Sequence, residues 1–106
     1  MNKNYNYFIG KSSSLIHKLC IGEGTAKQRL RECEPQIYVM LRASIPDELI
    51  PLKEKIHKNL HKKISVGEMT SFRHTLTSMR NSTASKIIDD IYTLYLKVMQ
   101  YQEYND

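Results

Sequence analysis

The residues of this sequence whose spacing suits chemistry best are Glu54, His57 and His61. On a helix, steps of three and four residues place these three side chains on one flank. A carboxylate and two imidazoles can bind a transition metal, and a histidine with a glutamate can transfer protons. A metal would need further ligands from elsewhere, however, and Lys58 and Lys62 beside them disfavour a cation. We therefore predict no metal-ligating residue, and a helical metal-dependent enzyme built on these three residues is our second alternative.

No other group of residues combines a nucleophile, a base and an oxyanion site. Ser12, Ser13 and Ser14 lack the strand-to-helix turn on which a nucleophile elbow depends. His17 and His74 are isolated in the sequence. We predict a protein that is not an enzyme, with no catalytic or cofactor-binding residue and no cofactor.

Basic residues are the second chemical feature, because the net charge of +5 is unevenly distributed. Residues 1–83 carry fourteen Lys or Arg against seven Asp or Glu (+7), and residues 84–106 carry two against four (−2). Rows of cations on helices can contact phosphates, although they can also be ordinary solvated surfaces. For Arg73 and Arg80 the structural interpretation is pairing with Asp89 or Asp90, or with carbonyls at the C-terminus of a helix. The nucleic-acid-binding candidates are Lys27, Arg31, Arg42, Lys55, Lys58, Lys62, Arg73 and Arg80.

Tyrosines are concentrated near the end of the chain, which contains seven tyrosines, two phenylalanines and no tryptophan. Tyrosine suits positions where an apolar ring is covered and its hydroxyl is wet, as at a core boundary or a protein interface. The protein-interface candidates are Tyr92, Tyr95, Met99, Tyr101 and Tyr104.

The elements that carry these residues are predicted to be helices, because apolar residues recur at steps of three and four. The first helix is expected over about 4–20, closed by Gly22 in a left-handed conformation. Thr25 and Gln28 form a capping box that opens the second helix. We favour one helix over 25–43, kinked at Pro35, with two short helices broken at Glu34 as the alternative.

Three further segments complete the helical pattern. The segment 44–48 predicts the start of the next helix, and the alternative is a regular helix that begins only at Pro51, with 46–50 as a separate turn. A capping box at 65–68 predicts the next helix, whose buried face contains Met69, Phe72, Leu76 and Met79. The last helix is predicted over 82–101, with an apolar surface wide enough to need covering on two sides.

The whole pattern predicts an all-α fold: a small antiparallel helical bundle of four to five helices with a central C-terminal helix. The length favours a single domain over 1–106, with 1–4 and 102–106 frayed. Cys20 and Cys33 are interpreted as reduced thiols in the core. The sequence lacks both a secretory signal and a membrane-spanning run, so we expect a cytoplasmic protein that does not contact a membrane.

The leading hypothesis for function is a non-enzymatic accessory or adaptor module that docks onto a larger protein within a nucleic-acid-handling system. The first alternative is direct, non-sequence-specific binding of nucleic acid through the basic helix faces. A second copy of the chain is a further candidate partner.

Overall fold

The computed structural model describes residues 4–105, and within this range the protein is all-helical. A short 3₁₀ turn, Asp47–Leu49, precedes α4, which agrees with the alternative of a separate turn, although α4 begins at Ile50 and not at Pro51. One isolated β-bridge joins Val66 and Met69, and the described range contains no strand. The all-α prediction is confirmed, but the predicted number of four to five helices is too low, since residues 4–105 form six α-helices. The helices are α1 (Asn6–Ile21), α2 (Ala26–Glu32), α3 (Glu34–Arg42), α4 (Ile50–Leu60), α5 (Ser71–Ser78) and α6 (Asn81–Asn105).

The single kinked helix favoured for 25–43 is wrong, because the chain forms α2 and α3 with a break at Cys33. The Cys33 amide ends α2 by donating to the carbonyls of Arg29 and Leu30, each at 3.2 Å. Pro35 then lies in the first turn of α3, where a missing amide hydrogen costs little. The alternative of two short helices is therefore the correct one, although the break lies at Cys33, one residue before the predicted Glu34.

The start of α2 follows the predicted capping box. Gln28 N donates to Thr25 Oγ1 at 3.3 Å, and Thr25 N donates to Gln28 Oε1 at 2.8 Å. The prediction for Gly22 is wrong, since its backbone is extended (φ −63°, ψ 144°). Gly24, directly before the cap, has the positive φ of 91° instead. The residue with positive φ therefore precedes the cap of α2 and does not close α1. Glycine adopts a positive φ without the steric cost that a side chain brings.

The start predicted for α5 is also wrong, since Thr70 and not Ser65 caps this helix. Thr70 Oγ1 accepts from Arg73 N at 3.1 Å. Val66 and Met69 exchange two backbone hydrogen bonds of 2.9 and 3.0 Å, and Gly67 between them has φ 57°. Because a helix cannot include this closed turn, Met69 is left 39% exposed outside the core.

The core is arranged along α6, which packs against α1, α2 and α4. The buried positions of α6 recur at three and four residues: Ala84, Ile87, Ile91, Leu94 and Val98. α6 runs four residues past its predicted end at 101, and Tyr5 N donates to Gln102 Oε1 at 2.7 Å. Fraying of 102–105 in solution stays a prediction, and residues 1–3 and 106 lie outside the described residues.

The two cysteines differ in their surroundings, and both are free thiols. Cys33 is buried as predicted, and burial raises the pKa of its thiol. Cys20 is exposed, so its placement in the core was wrong. It lies one residue beyond Leu19, and the buried stripe of α1 contains Phe8, Ser12, Leu15 and Leu19. No helix within residues 4–105 combines the length and apolar character needed to cross a membrane.

Candidate binding surfaces

Five of the eight predicted nucleic-acid-binding residues line two clefts that lie on opposite sides of α5. The first, the α2 cleft, has a volume of about 480 Å³. The second, the α4 cleft, has a volume of about 340 Å³. The α2 cleft is lined by Lys27, Gln28, Arg31, Glu68, Met69, Arg73, Leu76 and Thr77. The α4 cleft is lined by Asn59, Lys62, Lys63, Thr75, Ser78, Met79, Arg80 and Thr83.

Lys27, a cation of the α2 cleft, is held where α5 ends and α6 begins. Lys27 Nζ donates to Thr77 O at 3.3 Å, and Lys27 N donates to Asn81 Oδ1 at 3.3 Å. Arg31 is exposed at the surface of α2. The acidic Glu68 also lines this cleft, and it reduces the net positive charge there.

Arg73, the third cation of the α2 cleft, is positioned by a buried carboxylate that the sequence analysis missed. Its Nε lies 3.2 Å from Glu34 Oε1, and the Glu34 side chain is only 9% exposed. Glu34 Oε2 accepts from Tyr38 Oη at 2.8 Å and from Thr70 Oγ1 at 3.3 Å. Burial, with the hydrogen bond to Glu34, raises the pKa of Tyr38 to about 12. The predicted partner of Arg73, an aspartate of α6, was therefore wrong.

The α4 cleft carries three cations, and no acidic residue of the described range 4–105 is part of its lining. The backbone of Lys63, in the segment between α4 and α5, is held by α5. Lys63 N donates to Thr75 Oγ1 at 2.9 Å, and Ser71 Oγ donates to Lys63 O. One residue further on, His74 Nδ1 lies 2.8 Å from Ile64 O. Lys63 belongs to the basic run 53–63 of the sequence but was not one of the eight candidates, and the fold places it in the same cleft as Arg80.

The remaining predicted cations lie outside both clefts. Lys55 Nζ is 3.7 Å from Asp90 Oδ2 on α6. Lys58 and Arg42 are exposed on α4 and on the last turn of α3. The structure therefore does not gather all eight candidates into one surface.

Glu54, His57 and His61 do not form a ligand set with other residues. The rings of His57 and His61 stack with centroids 4.3 Å apart, and His61 Nδ1 lies 2.9 Å from His57 O. Partial desolvation lowers the pKa of His57, and the neighbouring His61 lowers it further. Within the described part of the chain, no group of three or more His, Cys, Asp or Glu residues could hold a metal ion.

An apolar flank of α6 is open to solvent, and we call Tyr92, Tyr95, Leu96 and Met99 the α6 flank. Tyr92 is 48% exposed, and Leu96 and Met99 are each 37% exposed. The rings of Tyr92 and Tyr95 lie 6.4 Å apart. Leu96 was not among the predicted interface residues. Of the other interface candidates, Tyr101 packs edge-on against Tyr5 at the core with a centroid distance of 6.0 Å, and Tyr104 is almost fully exposed.

Comparisons with known proteins identify no relative of this chain. No protein-family model matches the chain, and no curated protein and no solved structure matches it either. Any function proposed for the protein therefore rests on the geometry of the two clefts and of the α6 flank.

Proposed function

We propose that this protein is a non-enzymatic module that binds nucleic acid through the phosphate backbone, without sequence specificity. One observation carries the proposal: α5 is bordered on each side by a cleft with three cations. These are Lys27, Arg31 and Arg73 in the α2 cleft, and Lys62, Lys63 and Arg80 in the α4 cleft. Phosphate contacts of this kind supply essentially all of non-specific nucleic-acid affinity.

The distribution of charge along the chain supports the same proposal. The excess of cations lies within residues 1–83, whereas residues 84–106 carry more acids than cations. Asp89, which is exposed, and Asp90 both lie on α6, and neither lines the α4 cleft. A polyanion approaching the protein would therefore be steered away from the acidic part of α6.

The test is fluorescence anisotropy with a labelled DNA duplex of mixed sequence, measured over a range of salt concentrations. If all six cations contact phosphates, affinity should fall by about a thousandfold between about 50 and 200 mM salt. Lys62→Ala with Lys63→Ala should weaken binding and reduce the slope of log affinity against log salt by about two.

A matched control is Lys86→Ala with Lys97→Ala, which removes two exposed lysines of α6 outside both clefts. This control should keep the affinity and the salt slope of the unmodified protein. The proposal is wrong if the protein does not bind the duplex even at low salt, or if the two double variants weaken binding equally.

A second candidate function, docking onto a larger protein, is favoured by the exposure of the α6 flank. Aromatic residues and methionine are enriched where proteins contact one another. Tyr92 and Met99 place such side chains two turns apart on one face of the longest helix within residues 4–105. The two functions are compatible, since an adaptor within a nucleic-acid-handling system would use both surfaces.

Docking can be tested with a photo-crosslinking phenylalanine derivative in place of Tyr92 during expression in the native host. Tyr7 on α1 provides the control position, because it is also an exposed tyrosine (62%). We expect a discrete adduct from position 92 and none from position 7, and the adduct should be lost with Met99→Asp. Equal labelling at the two positions would contradict docking, and an adduct of twice the chain mass would identify a second copy as the partner.

The arrangement of the helices is also a proposal: an antiparallel bundle with α6 at its centre. The contact between Tyr5, at the start of α1, and Tyr101, near the end of α6, supports it. Contacts of α6 with α1, α2 and α4 support the central position of α6.

A further inference from the structure

We infer that the nucleic acid bound here is duplex DNA, with α5 in the major groove and the phosphates of the two strands in the two clefts. This inference rests on the proposed nucleic-acid binding and adds the form of the ligand and its orientation. It starts from the placement of the cations on both sides of one helix, because a single basic face would contact only one backbone.

The dimensions of α5 fit this arrangement. An α-helix with its side chains is about 10–12 Å in diameter, and the major groove of B-form DNA is about 12 Å wide. α5 has eight residues, from Ser71 to Ser78, and within residues 4–105 it is the only helix whose residues line both clefts. A helix in the groove would therefore have one phosphate backbone on its Lys27 side and the other on its Lys62 side.

The lining of the clefts argues against a single strand as the ligand. Proteins that bind single strands without sequence preference stack bases on aromatic side chains. Within the described range 4–105, neither cleft has a Phe, Tyr or Trp in its lining. Phe72, the aromatic residue of α5, is fully buried. The cations of the two clefts therefore suit contacts to the phosphate backbone of a rigid duplex.

The outer face of α5 supports binding without base recognition. Thr77 Oγ1 donates to Arg73 O at 2.8 Å, and Ser78 Oγ donates to His74 O at 3.2 Å. These hydroxyl hydrogens are already used within the helix, so neither residue offers a free donor to a base edge. We therefore expect little difference between duplexes of different sequence.

The experiment compares four labelled or competing probes on the full chain at one salt concentration. They are a DNA duplex of mixed sequence, an RNA duplex of the same sequence, the DNA single strand, and poly-glutamate as an acidic polypeptide. The major groove of A-form RNA is deep and narrow, so α5 should not enter it. We expect the DNA duplex to bind about tenfold more tightly than the RNA duplex and the single strand, and poly-glutamate to compete poorly.

Two double variants test whether both clefts contact the duplex. Lys27→Ala with Arg31→Ala changes the α2 cleft, and Lys62→Ala with Lys63→Ala changes the α4 cleft. Each should reduce the salt slope by about two. Lys86→Ala with Lys97→Ala is the control, and circular dichroism should show the same helical content in all variants. If a variant loses helical content, glutamine is used in place of alanine at the same lysine and arginine positions.

The outcomes separate this inference from the proposed function. Equal affinity for the DNA and RNA duplexes, tighter binding of the single strand, or an effect of only one cleft variant would overturn the groove inference and leave nucleic-acid binding standing. Strong competition by poly-glutamate would indicate an acidic protein as the ligand and overturn it too. If the protein binds none of the nucleic acids at low salt, both the inference and the proposed function are wrong.

Discussion

Leu94→Ala is expected to lower the free energy of unfolding by about 2–5 kcal/mol. Leu94 is fully buried on α6, the helix that contacts α1, α2 and α4. Removing its side chain loses the transfer free energy of the buried carbons and leaves a cavity that the surrounding helices fill only in part. Urea unfolding followed by far-UV circular dichroism measures the change.

Leu96→Ala is the matched control, because it is the same substitution two residues further along α6. Leu96 is 37% exposed and belongs to the α6 flank. Its truncation should change stability by less than about 1 kcal/mol. If the two variants were equally destabilised, the assignment of Leu94 to the core and Leu96 to the surface would be wrong.

Glu34→Ala is expected to destabilise the protein by about 3 kcal/mol, because it removes a buried carboxylate from three hydrogen-bonding partners. Tyr38 and Thr70 lose their acceptor, and Arg73 loses its ion-pair partner. Arg73→Ala should cost less, about 1 kcal/mol, since its side chain is 53% exposed and screened by solvent. Chemical denaturation gives both values.

A double-mutant cycle over Glu34 and Arg73 isolates their interaction. The two losses should sum to more than the loss in the double variant, because Arg73 has little to pair with once Glu34 is gone. Glu32→Ala removes an exposed acid of α2 and should be within about 0.5 kcal/mol of the unmodified protein. Strict additivity of the two single losses would show that the ion pair contributes nothing.

The helices were largely predictable from the sequence, because each buries one stripe whose period is visible locally. The buried residues of α6 and the capping box at Thr25 and Gln28 are of this kind. The start of α5 was missed because a capping-box pattern at Ser65 also fits a closed turn, which Gly67 allows. Pattern alone does not distinguish these two structures.

The candidate surfaces were only partly predictable, because they depend on contacts between distant parts of the chain. Arg73 and Glu34 are 39 residues apart, and their pairing requires α5 to lie beside the start of α3. Lys62 was identified as basic surface, yet nothing local indicated that Arg80 would lie in the same cleft. The spacing of Glu34 and Tyr38 was the one local signal of the buried carboxylate, since residues four apart on a helix are neighbours.

The length of α6 has a consequence for how the two surfaces would work together. Arg80, in the α4 cleft, precedes α6 directly, while Met99 lies near its other end. At 1.5 Å per residue, α6 separates these two positions by roughly 28 Å. This separation exceeds the Debye length of about 8 Å at physiological ionic strength. The charge at Arg80 would therefore be screened at Met99, and α6 would hold the two surfaces at a separation that is fixed by the length of the helix.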